Sequence, residues 1–246
     1  MAATEVICGT HAVLEAIRAG KRRVFEVYIS SGKAEKMAGQ IEDEARRQKI
    51  PCQKVSGDAL YKMSRIEKNQ GVAAKVESYK YTSEDEIFAQ PQKNPFFLIL
   101  DQVTDPQNLG SLLRSAHLCG VDAVFIPKDN SAGIGPAAAR ASAGAAEYLQ
   151  IVQVTNLVQL IKVLKEKNIW VVGADGDTEQ SLYDFDAKGA VALVMGSEGK
   201  GMRPLVKETC DLCLKIPMTG VIGSFNVSVA GAIMMSEFHR QRILKK

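Results

Sequence analysis

The sequence predicts an α/β protein of two domains, the second built on a mostly parallel β-sheet. The chain has 246 residues, of which 46% are hydrophobic and 24% charged, so it can bury a sizeable core. From residue 95 onward, strongly apolar segments of strand length alternate with helical segments. Continuous apolar strands are typical of a parallel sheet covered on both faces. A polar stretch before residue 95 separates this region from an α/β unit of different composition.

The first 76 residues predict a small α/β domain. A helix is expected over 11–19, with Thr10 as its N-cap and Gly20 at its end. The alternating segment VFEVYIS then predicts a strand over 24–30. The elements expected after it are a charged helix over 35–49, a strand over 52–55, a helical turn over 58–64 and a strand over 71–76.

Charge is distributed unevenly along the chain. The formal net charge is +3, which divides into +5 for residues 1–76, −2 for residues 77–94 and zero for residues 95–246. Residues 77–94 lose apolar periodicity and predict an acidic linker. Four basic side chains cluster where the first helix turns into the first strand: Arg18, Lys21, Arg22 and Arg23. They predict an edge that contacts RNA phosphates, and the alternative is an ordinary solvated turn.

Six strands are predicted in the second domain, which spans residues 95–246. Their segments are FFLILDQV, DAVFIP, LQIVQV, IWVVGAD, AVALVMG and DLCLKIP. A helix over 156–167 places Leu157, Leu160, Ile161 and Leu164 on one face. A final helix, basic at its end, is expected over 228–244.

Features that would indicate a secreted, membrane or metal-binding protein are missing from the sequence. No basic segment followed by an apolar run opens the chain, and no stretch of about 18 apolar residues occurs. The five cysteines are odd in number and scattered, which is typical of buried thiols in a reducing compartment. Cys210 and Cys213 form a single CxxC, whereas tetrahedral zinc needs four ligands. We therefore expect a cytoplasmic protein without a metal site and without a membrane partner.

Three segments of the second domain carry more polar and glycine residues than packing requires. In the first, LDQVTDPQNLGSLLRSAHLCG, Asp105 and Pro106 resemble the start of a helix. On that helix Arg114 projects away from the apolar face formed by Leu109 and its neighbours. Open α/β sheets bind ligands at the carboxyl ends of their strands, so Arg114 is a candidate ligand contact. The alternative is a solvated arginine.

The other two segments are rich in glycine. In VALVMGSEGKGM, Gly196, Gly199 and Gly201 predict positive φ and a close approach to a ligand, with Glu198 at the tip of the loop. In KIPMTGVIGSFNVSVAGAIMMSEF, Ser224 and Asn226 precede an apolar helix. The alternatives are a tight turn in the one case and helix capping in the other.

Two other catalytic patterns are weak. Gly133, Gly135 and Ala138 fit the dinucleotide fingerprint G-x-G-x-x-A, which would indicate a nucleotide-cofactor oxidoreductase. Pro136 lies inside the motif, however, and no acidic strand end follows at the expected distance of about 20 residues. A Ser-His-Asp hydrolase is not indicated either, because no G-x-S-x-G elbow is present.

The three segments, in this order, resemble the three motifs of the SpoU (TrmH) family of RNA ribose 2′-O-methyltransferases, within the SPOUT class. Asn108-x-Gly110-x-x-x-Arg114 resembles the first motif, MGSEGKGM the second and IPMTGVIGSFNVSVA the third. The resemblance extends through ARASAGAAEYLQIVQVTNL and the opening ICGTHAVLEAI. Over nearly the whole chain it is strongest to the 23S rRNA guanosine 2′-O-methyltransferases of that family.

The resemblance implies S-adenosyl-L-methionine as cofactor, a ribosomal-protein-like RNA-binding domain in front, and a homodimer whose catalytic domains carry a C-terminal trefoil knot. It implies that Gly196, Ile216 and Phe225 contact the cofactor, with Met195, Gly201 and Met218 beside them. Arg114 would bind the RNA phosphate and stabilise the developing alkoxide, because guanidinium almost never loses its proton. The other catalytic candidates, which would orient the reactants, are Asn108, Glu198, Ser224 and Asn226.

These motifs indicate the chemistry and not the target. The expected activity is 2′-O-methylation of the ribose of a guanosine in 23S rRNA. The folded front domain favours a structured rRNA site. A tRNA methyltransferase of the same family and a non-catalytic RNA-binding homologue remain alternatives.

Overall fold

The structure is a computed structural model that describes residues 3–30, 35–67, 69–89, 93–221 and 223–243. The chain divides into two compact units. Unit 1 comprises Met1–Lys80 together with Gly133–Tyr148, and unit 2 comprises Tyr81–Ala132 together with Leu149–Lys246. A piece from the middle of the chain therefore completes the unit that the N-terminus begins.

Unit 1 contains a four-stranded sheet in the order β1-β4-β2-β3. Its strands are β1 (Thr4–Cys8), β2 (Val24–Ser30), β3 (Cys52–Val55) and β4 (Val72–Glu77). Strand β4 runs antiparallel to both β1 and β2, whereas β3 is parallel to β2. The helices from this part of the chain are α1 (Thr10–Ala19), α2 (Glu35–Arg47) and α3 (Gly57–Ser64). These elements confirm the helices and strands predicted between residues 11 and 76, and β1 is an addition.

The start of α1 differs from the prediction that Thr10 caps it. Thr10 is the first helical residue, and the N-cap position is held by Gly9 at φ 102°. The capping acceptor is instead Gln70, whose Oε1 accepts from the backbone N–H of Thr10 at 3.0 Å and from its hydroxyl at 3.1 Å. The first backbone N–H of α1 is therefore satisfied by a side chain 60 residues away in sequence, and not by the local cap that the sequence predicts.

The middle segment of unit 1 contains the short helix α6 (Pro136–Ala141) and then one 3₁₀ turn. Ala139 lies in the same apolar core as β2, β4 and α1. Gly144 has φ 85°, and a Cβ there would lie 2.5 Å from the Cβ of Glu15. The backbone of this segment therefore packs directly against the Glu15 side chain of α1. The dinucleotide fingerprint at Gly133 to Ala138 falls in this short helical segment. Its helix has only six residues and belongs to unit 1, whereas the helix of a dinucleotide-binding βαβ unit covers the parallel sheet, so the oxidoreductase alternative is wrong.

Unit 2 contains a six-stranded, all-parallel sheet in the order β10-β8-β9-β5-β6-β7. Its strands are β5 (Phe96–Leu100), β6 (Ala123–Pro127), β7 (Gln150–Val154), β8 (Trp170–Ala174), β9 (Val191–Met195) and β10 (Leu212–Leu214). All six predicted strands are confirmed. Every residue of β5, β6 and β9 is buried, as expected for strands covered on both faces.

Five helices accompany this sheet among the described residues. They are α4 (Glu84–Phe88), α5 (Pro106–Leu118), α7 (Leu157–Glu166), α8 (Pro204–Thr209) and α9 (Val227–Ile243). Helix α7 buries Leu157, Leu160, Ile161 and Leu164 as predicted. The predicted end of the last helix, Leu244, lies outside the described residues. None of the described helices has the length and apolar run needed to cross a bilayer.

Helix α4 lies within the stretch 77–94 that the sequence predicts as a linker. A capping box begins it: the Ser83 hydroxyl accepts from the Glu86 N–H at 3.3 Å, and the Glu86 carboxylate accepts from the Ser83 N–H at 2.8 Å. Ile87 is buried in the core of unit 2, and the ring of Phe88 stacks on that of Phe125. Part of the stretch is therefore a packed element of unit 2.

Candidate active site

The candidate site begins at the N-terminus of α5, directly after the carboxyl end of β5. Asp105 is the N-cap, because its Oδ1 accepts from the backbone N–H of Gln107 at 3.0 Å, and Pro106 follows at the first helical position. This hydrogen bond lowers the pKa of Asp105. The other carboxylate oxygen, Oδ2, accepts from Asn108 Nδ2 at 3.0 Å. The cap therefore also orients the buried amide of Asn108.

Asn108 joins the three segments that the sequence singled out. Its Nδ2 also donates to Glu198 Oε1, from the second segment. Its Oδ1 accepts from Asn226 Nδ2, from the third segment, at 3.1 Å. One hydrogen-bond chain thus joins Asn108 to residues that are 90 and 118 positions away in sequence.

Asn226 has two roles at once. Its Oδ1 accepts from the backbone N–H groups of Ser228 at 2.9 Å and Val229 at 3.4 Å, which caps α9 as the alternative interpretation expected. Its amide nitrogen is left to donate to Asn108. Capping of α9 therefore aims this amide at the other two segments.

The second segment folds into a tight loop after β9. Ser197 and Gly201 exchange backbone hydrogen bonds of 2.9 and 3.0 Å, which leaves Glu198 exposed near the tip. Gly199 and Gly201 have the predicted positive φ, 73° and 68°. Gly196 does not have the positive φ that the sequence predicts for it. A Cβ there would lie 2.1 Å from the backbone carbon of Gly201, so Gly196 allows the loop to fold back on its own strand.

Asp101 anchors the far end of this loop and was missed by sequence reasoning. It is fully buried at the end of β5, and it accepts from the backbone N–H and from Nε of Arg203, each at 2.8 Å. A carboxylate directly after five apolar strand residues was the available signal, since a buried charge requires a partner.

Arg114 and Ser224 do not join the hydrogen-bond chain. Arg114 is exposed, whereas Leu109, Leu112 and Leu113 are buried, so the predicted orientation of α5 is confirmed. Neither Arg114 nor Ser224 makes a side-chain hydrogen bond or ion pair with the part of the chain that the structure describes. Both side chains are exposed to solvent.

Five of the six candidate cofactor residues lie on the loops that follow β9 and β10, and Met195 is the last residue of β9. Gly196 is buried and Gly201 is exposed, while Ile216 is half-buried. The apolar side chains of Met218 and Phe225 are 39% and 43% exposed. Met195 differs, because it is buried and its Sδ-methyl lies 3.8 Å from the Cβ position of Gly231 in α9. Its side chain therefore belongs to the core, and its backbone carbonyl accepts from the Asp101 N–H at 2.7 Å.

The CxxC thiols are free. The Cys210 thiol donates to the Val206 carbonyl at 3.3 Å, and burial raises the pKa of Cys210 to about 12, so this thiol stays protonated at neutral pH. Within residues 3–30, 35–67, 69–89, 93–221 and 223–243, no group of three or more His, Cys, Asp or Glu side chains is arranged to hold a metal ion.

The predicted RNA edge of unit 1 requires one correction. Arg22 is only 4% exposed, and its guanidinium donates to Glu5 and, at 2.6 Å, to Glu147. Two carboxylates hold it inside the unit, so Arg22 is a structural ion-pair residue and not a phosphate contact. The expectation failed because Glu147 is 125 residues away in sequence.

The other three basic side chains of the edge are more accessible. Arg18 is exposed and pairs with Glu15 at 3.0 Å. Lys21 donates to the Tyr79 hydroxyl at 2.9 Å, and partial burial lowers its pKa. Arg23 is exposed, with its guanidinium 5.0 Å from the centre of the Phe25 ring.

Comparisons with known proteins cover both units. The model of the SpoU rRNA Methylase family matches residues 95–236, and the model described as RNA 2′-O ribose methyltransferase substrate binding matches residues 6–82. The chain is 42% identical over 243 residues to the 23S rRNA (guanosine-2′-O-)-methyltransferase RlmB of Pasteurella multocida, which covers 98% of this chain and 99% of the relative.

Two solved structures have the same fold. A crystal structure of an RNA 2′-O ribose methyltransferase superposes with a TM-score of 0.84 at 25% identity, covering 98% of this chain and 90% of that one. The SpoU methyltransferase AviRb from Streptomyces viridochromogenes, solved in complex with AdoMet, gives 0.81 at 23% identity, with 98% and 91% covered.

Proposed function

The chain belongs to the SpoU rRNA methylase family, and we propose that it transfers a methyl group from S-adenosyl-L-methionine to the 2′-hydroxyl of a guanosine ribose in 23S rRNA. The observation that carries the proposal is the hydrogen-bond chain from Glu198 through Asn108 to Asn226. It joins the three segments by which the resemblance was made. The rRNA target rests on a relative that is 42% identical over 98% of this chain.

The loops after β9 and β10 fit the cofactor. When bound, S-adenosyl-L-methionine supplies an electrophilic methyl carbon for transfer to a hydroxyl. Gly196, Gly201, Ile216, Met218 and Phe225 would hold it. The half-exposed side chains of Met218 and Phe225 offer apolar contacts for an adenine ring, and Gly199 and Gly201 have no side chain that would keep the cofactor away from the loop.

Arg114 acts on the RNA. Its guanidinium is a cation with several N–H donors, so it donates hydrogen bonds to a phosphate and stabilises the negative charge that develops on the ribose oxygen. Glu198, Asn108 and Asn226 keep one another in place, which fixes the groups that orient the ribose. Ser224 lies two residues before Asn226 with its hydroxyl exposed, available to hydrogen-bond the nucleotide.

Replacement of Arg114 tests these assignments. We expect Arg114→Ala to abolish methylation of 23S rRNA while binding of S-adenosyl-L-methionine, measured by calorimetry, changes little. Ser111→Ala, at an exposed position on the same helix, is the matched control and should retain activity. Methylation by the Arg114→Ala variant at the rate of the unsubstituted enzyme would refute the role of Arg114.

Ribose methylation mapped on RNA from cells with and without the gene tests the target. A methyl group lost from 23S rRNA supports the proposal. Loss from tRNA instead would replace the target, and an unchanged pattern in both RNAs would indicate the non-catalytic homologue.

The remaining expectations concern binding and assembly. RNA contacts in unit 1 are assigned to Arg18, Lys21 and Arg23, within the region matched by the substrate-binding model. A homodimer is supported by Leu118 and Val229, which are 68% and 46% exposed on α5 and α9, and light scattering measures it. We propose a cytoplasmic location, because the proposed substrate is rRNA. The trefoil knot stays a prediction from the resemblance.

A further inference from the structure

We propose that a cavity beside Glu198 receives the base of the target nucleotide and selects guanine, an inference that rests on the proposed function. The cavity has a volume of about 300 Å³ and lies where β5, β6 and β9 end. Of the seven described residues that line it, six are polar: Gln102, Thr104, Asn130, Ser197, Glu198 and Lys200. Its wall is therefore built to form hydrogen bonds.

The size and position of the cavity separate it from the cofactor site. Pockets for drug-sized ligands span about 300–1,000 Å³, so 300 Å³ is small for S-adenosyl-L-methionine and suits a single nucleobase. None of the six candidate cofactor residues lines it. The cavity and the cofactor loops share only the turn Ser197–Gly201, on which the cavity uses Ser197, Glu198 and Lys200.

The turns at the strand ends present two amide side chains to this cavity. Gln102 follows β5 at φ 60°, and Asn130 follows β6 at φ 54°. Left-handed backbone is uncommon for residues other than glycine and marks a turn in each case. Both amides line the same cavity, so the turns bring groups that can donate and accept from neighbouring strands.

The charged groups of the cavity match guanine. Specific recognition of RNA uses unstacked bases, read by hydrogen bonds on their edges. Guanine presents the acceptors O6 and N7 and an amino donor at N2, and lysine pairs with O6 and N7. Adenine presents an amino donor where guanine has O6, so the Lys200 ammonium would face a second donor. Lys200 therefore favours guanine over adenine.

Glu198 connects base recognition to the reaction. Its Oε1 accepts from Asn108, while its Oε2 makes no hydrogen bond with the described residues and is available to accept from the guanine amino group. A base held in the cavity places its own ribose next to the chain from Glu198 to Asn226. Because base and ribose are covalently linked, a base that does not fit withdraws the 2′-hydroxyl from the site.

The test uses RNA fragments of 23S rRNA that carry guanine, inosine or adenine at the methylated position. We expect the unmodified enzyme to methylate the guanine fragment with the highest kcat/KM, and inosine, which lacks the N2 amino group, less well. Lys200→Met should lower kcat/KM for guanine by about 10-fold to 100-fold, the range of one base contact, and should reduce the preference over adenine. Lys162→Met, at an exposed position on α7, is the control and should change neither.

Each outcome bears on one level of the proposal. If the unmodified enzyme methylates none of the fragments, the proposed function fails. If it methylates guanine and Lys200→Met keeps the full preference for guanine over adenine, the cavity inference is overturned and the function stands. Loss of S-adenosyl-L-methionine binding by Lys200→Met, measured by calorimetry, would also overturn it. Asn130→Ala provides a second variant, expected to alter the preference among the fragments while retaining cofactor binding.

Discussion

The buried ion pair of unit 1 allows a sharp prediction. The side chains of Arg22 and Glu147 are 2% and 1% exposed, and their charged groups are 2.6 Å apart. Arg22→Ala would leave the carboxylate of Glu147 buried without its cation. Removal of one partner from a buried pair costs about 3–5 kcal/mol, a large part of the stability of an ordinary domain. With a urea dependence of about 1.5 kcal/mol per molar, this loss lowers the unfolding midpoint by about 2 M or more.

Hydrogen exchange of the β1 and β4 amides during urea unfolding measures the loss within unit 1. Arg23→Ala is the matched control, since Arg23 is adjacent in sequence and exposed, and it should change stability by no more than about 0.5 kcal/mol. The double variant Arg22→Met, Glu147→Leu should recover most of the loss, because an apolar pair can replace a buried ion pair.

A loss below about 1 kcal/mol for Arg22→Ala would refute the reasoning, because a buried pair must cost more than a surface one. If that small loss came with weaker RNA binding and a flatter salt dependence, Arg22 would be a phosphate contact after all.

Two further predictions concern a glycine and a cap. Gly144→Ala should destabilise unit 1 by about 1–3 kcal/mol, because φ is 85° and the new Cβ would lie 2.5 Å from the Cβ of Glu15. Thermal melting measures this loss, and the control Gly39→Ala in α2 should stabilise the protein slightly. Equal melting temperatures for Gly144→Ala and the unsubstituted protein would contradict the packing. The Gln107 N–H lowers the pKa of Asp105, so its stabilisation is complete above the ordinary aspartate pKa of about 3.9 and is lost as pH falls through the lowered value. Asp105→Asn keeps a good N-cap and should flatten this part of the acid unfolding curve; an unchanged curve would argue against it.

Sequence patterns predicted the parts of the molecule whose causes are local. Strands β5, β6 and β9 are continuous apolar runs because both of their faces are buried. The outward direction of Arg114 follows from the helical spacing of Leu109, Leu112 and Leu113. Strand β1 lacked such a signal, because it pairs at the edge of a small sheet with a strand some 70 residues later.

Several errors and omissions involve partners that are distant in sequence. Thr10 was expected to cap α1, but the acceptor is Gln70. Arg22 lies in a basic cluster that is typical of a solvated or phosphate-binding turn, and its burial depends on Glu147. Asp101 holds Arg203, 102 residues away. In each case the physical requirement, a satisfied polar group, was known in advance while its partner was not.

The three motifs were recognised as separate segments, and their meeting at Asn108 could not be derived from spacing. The amide of Asn108 both donates and accepts, so one side chain can link a carboxylate to a second amide. A carboxylate at this position would lack the donor, and an aliphatic residue would lack both donor and acceptor.

The assignment of residues 133–148 to unit 1 affects how the protein is made. A ribosome synthesises the N-terminus first, and domains generally fold as their residues emerge. Unit 1 gains Glu147, the carboxylate that neutralises Arg22, only after β5 and β6 of the other unit have been synthesised. Until then, Arg22 of the nascent chain lacks one of its two carboxylate partners. Expression of the first 80 residues alone would preserve that unfinished state, so an isolated front fragment should aggregate or bind chaperones where the full chain does not.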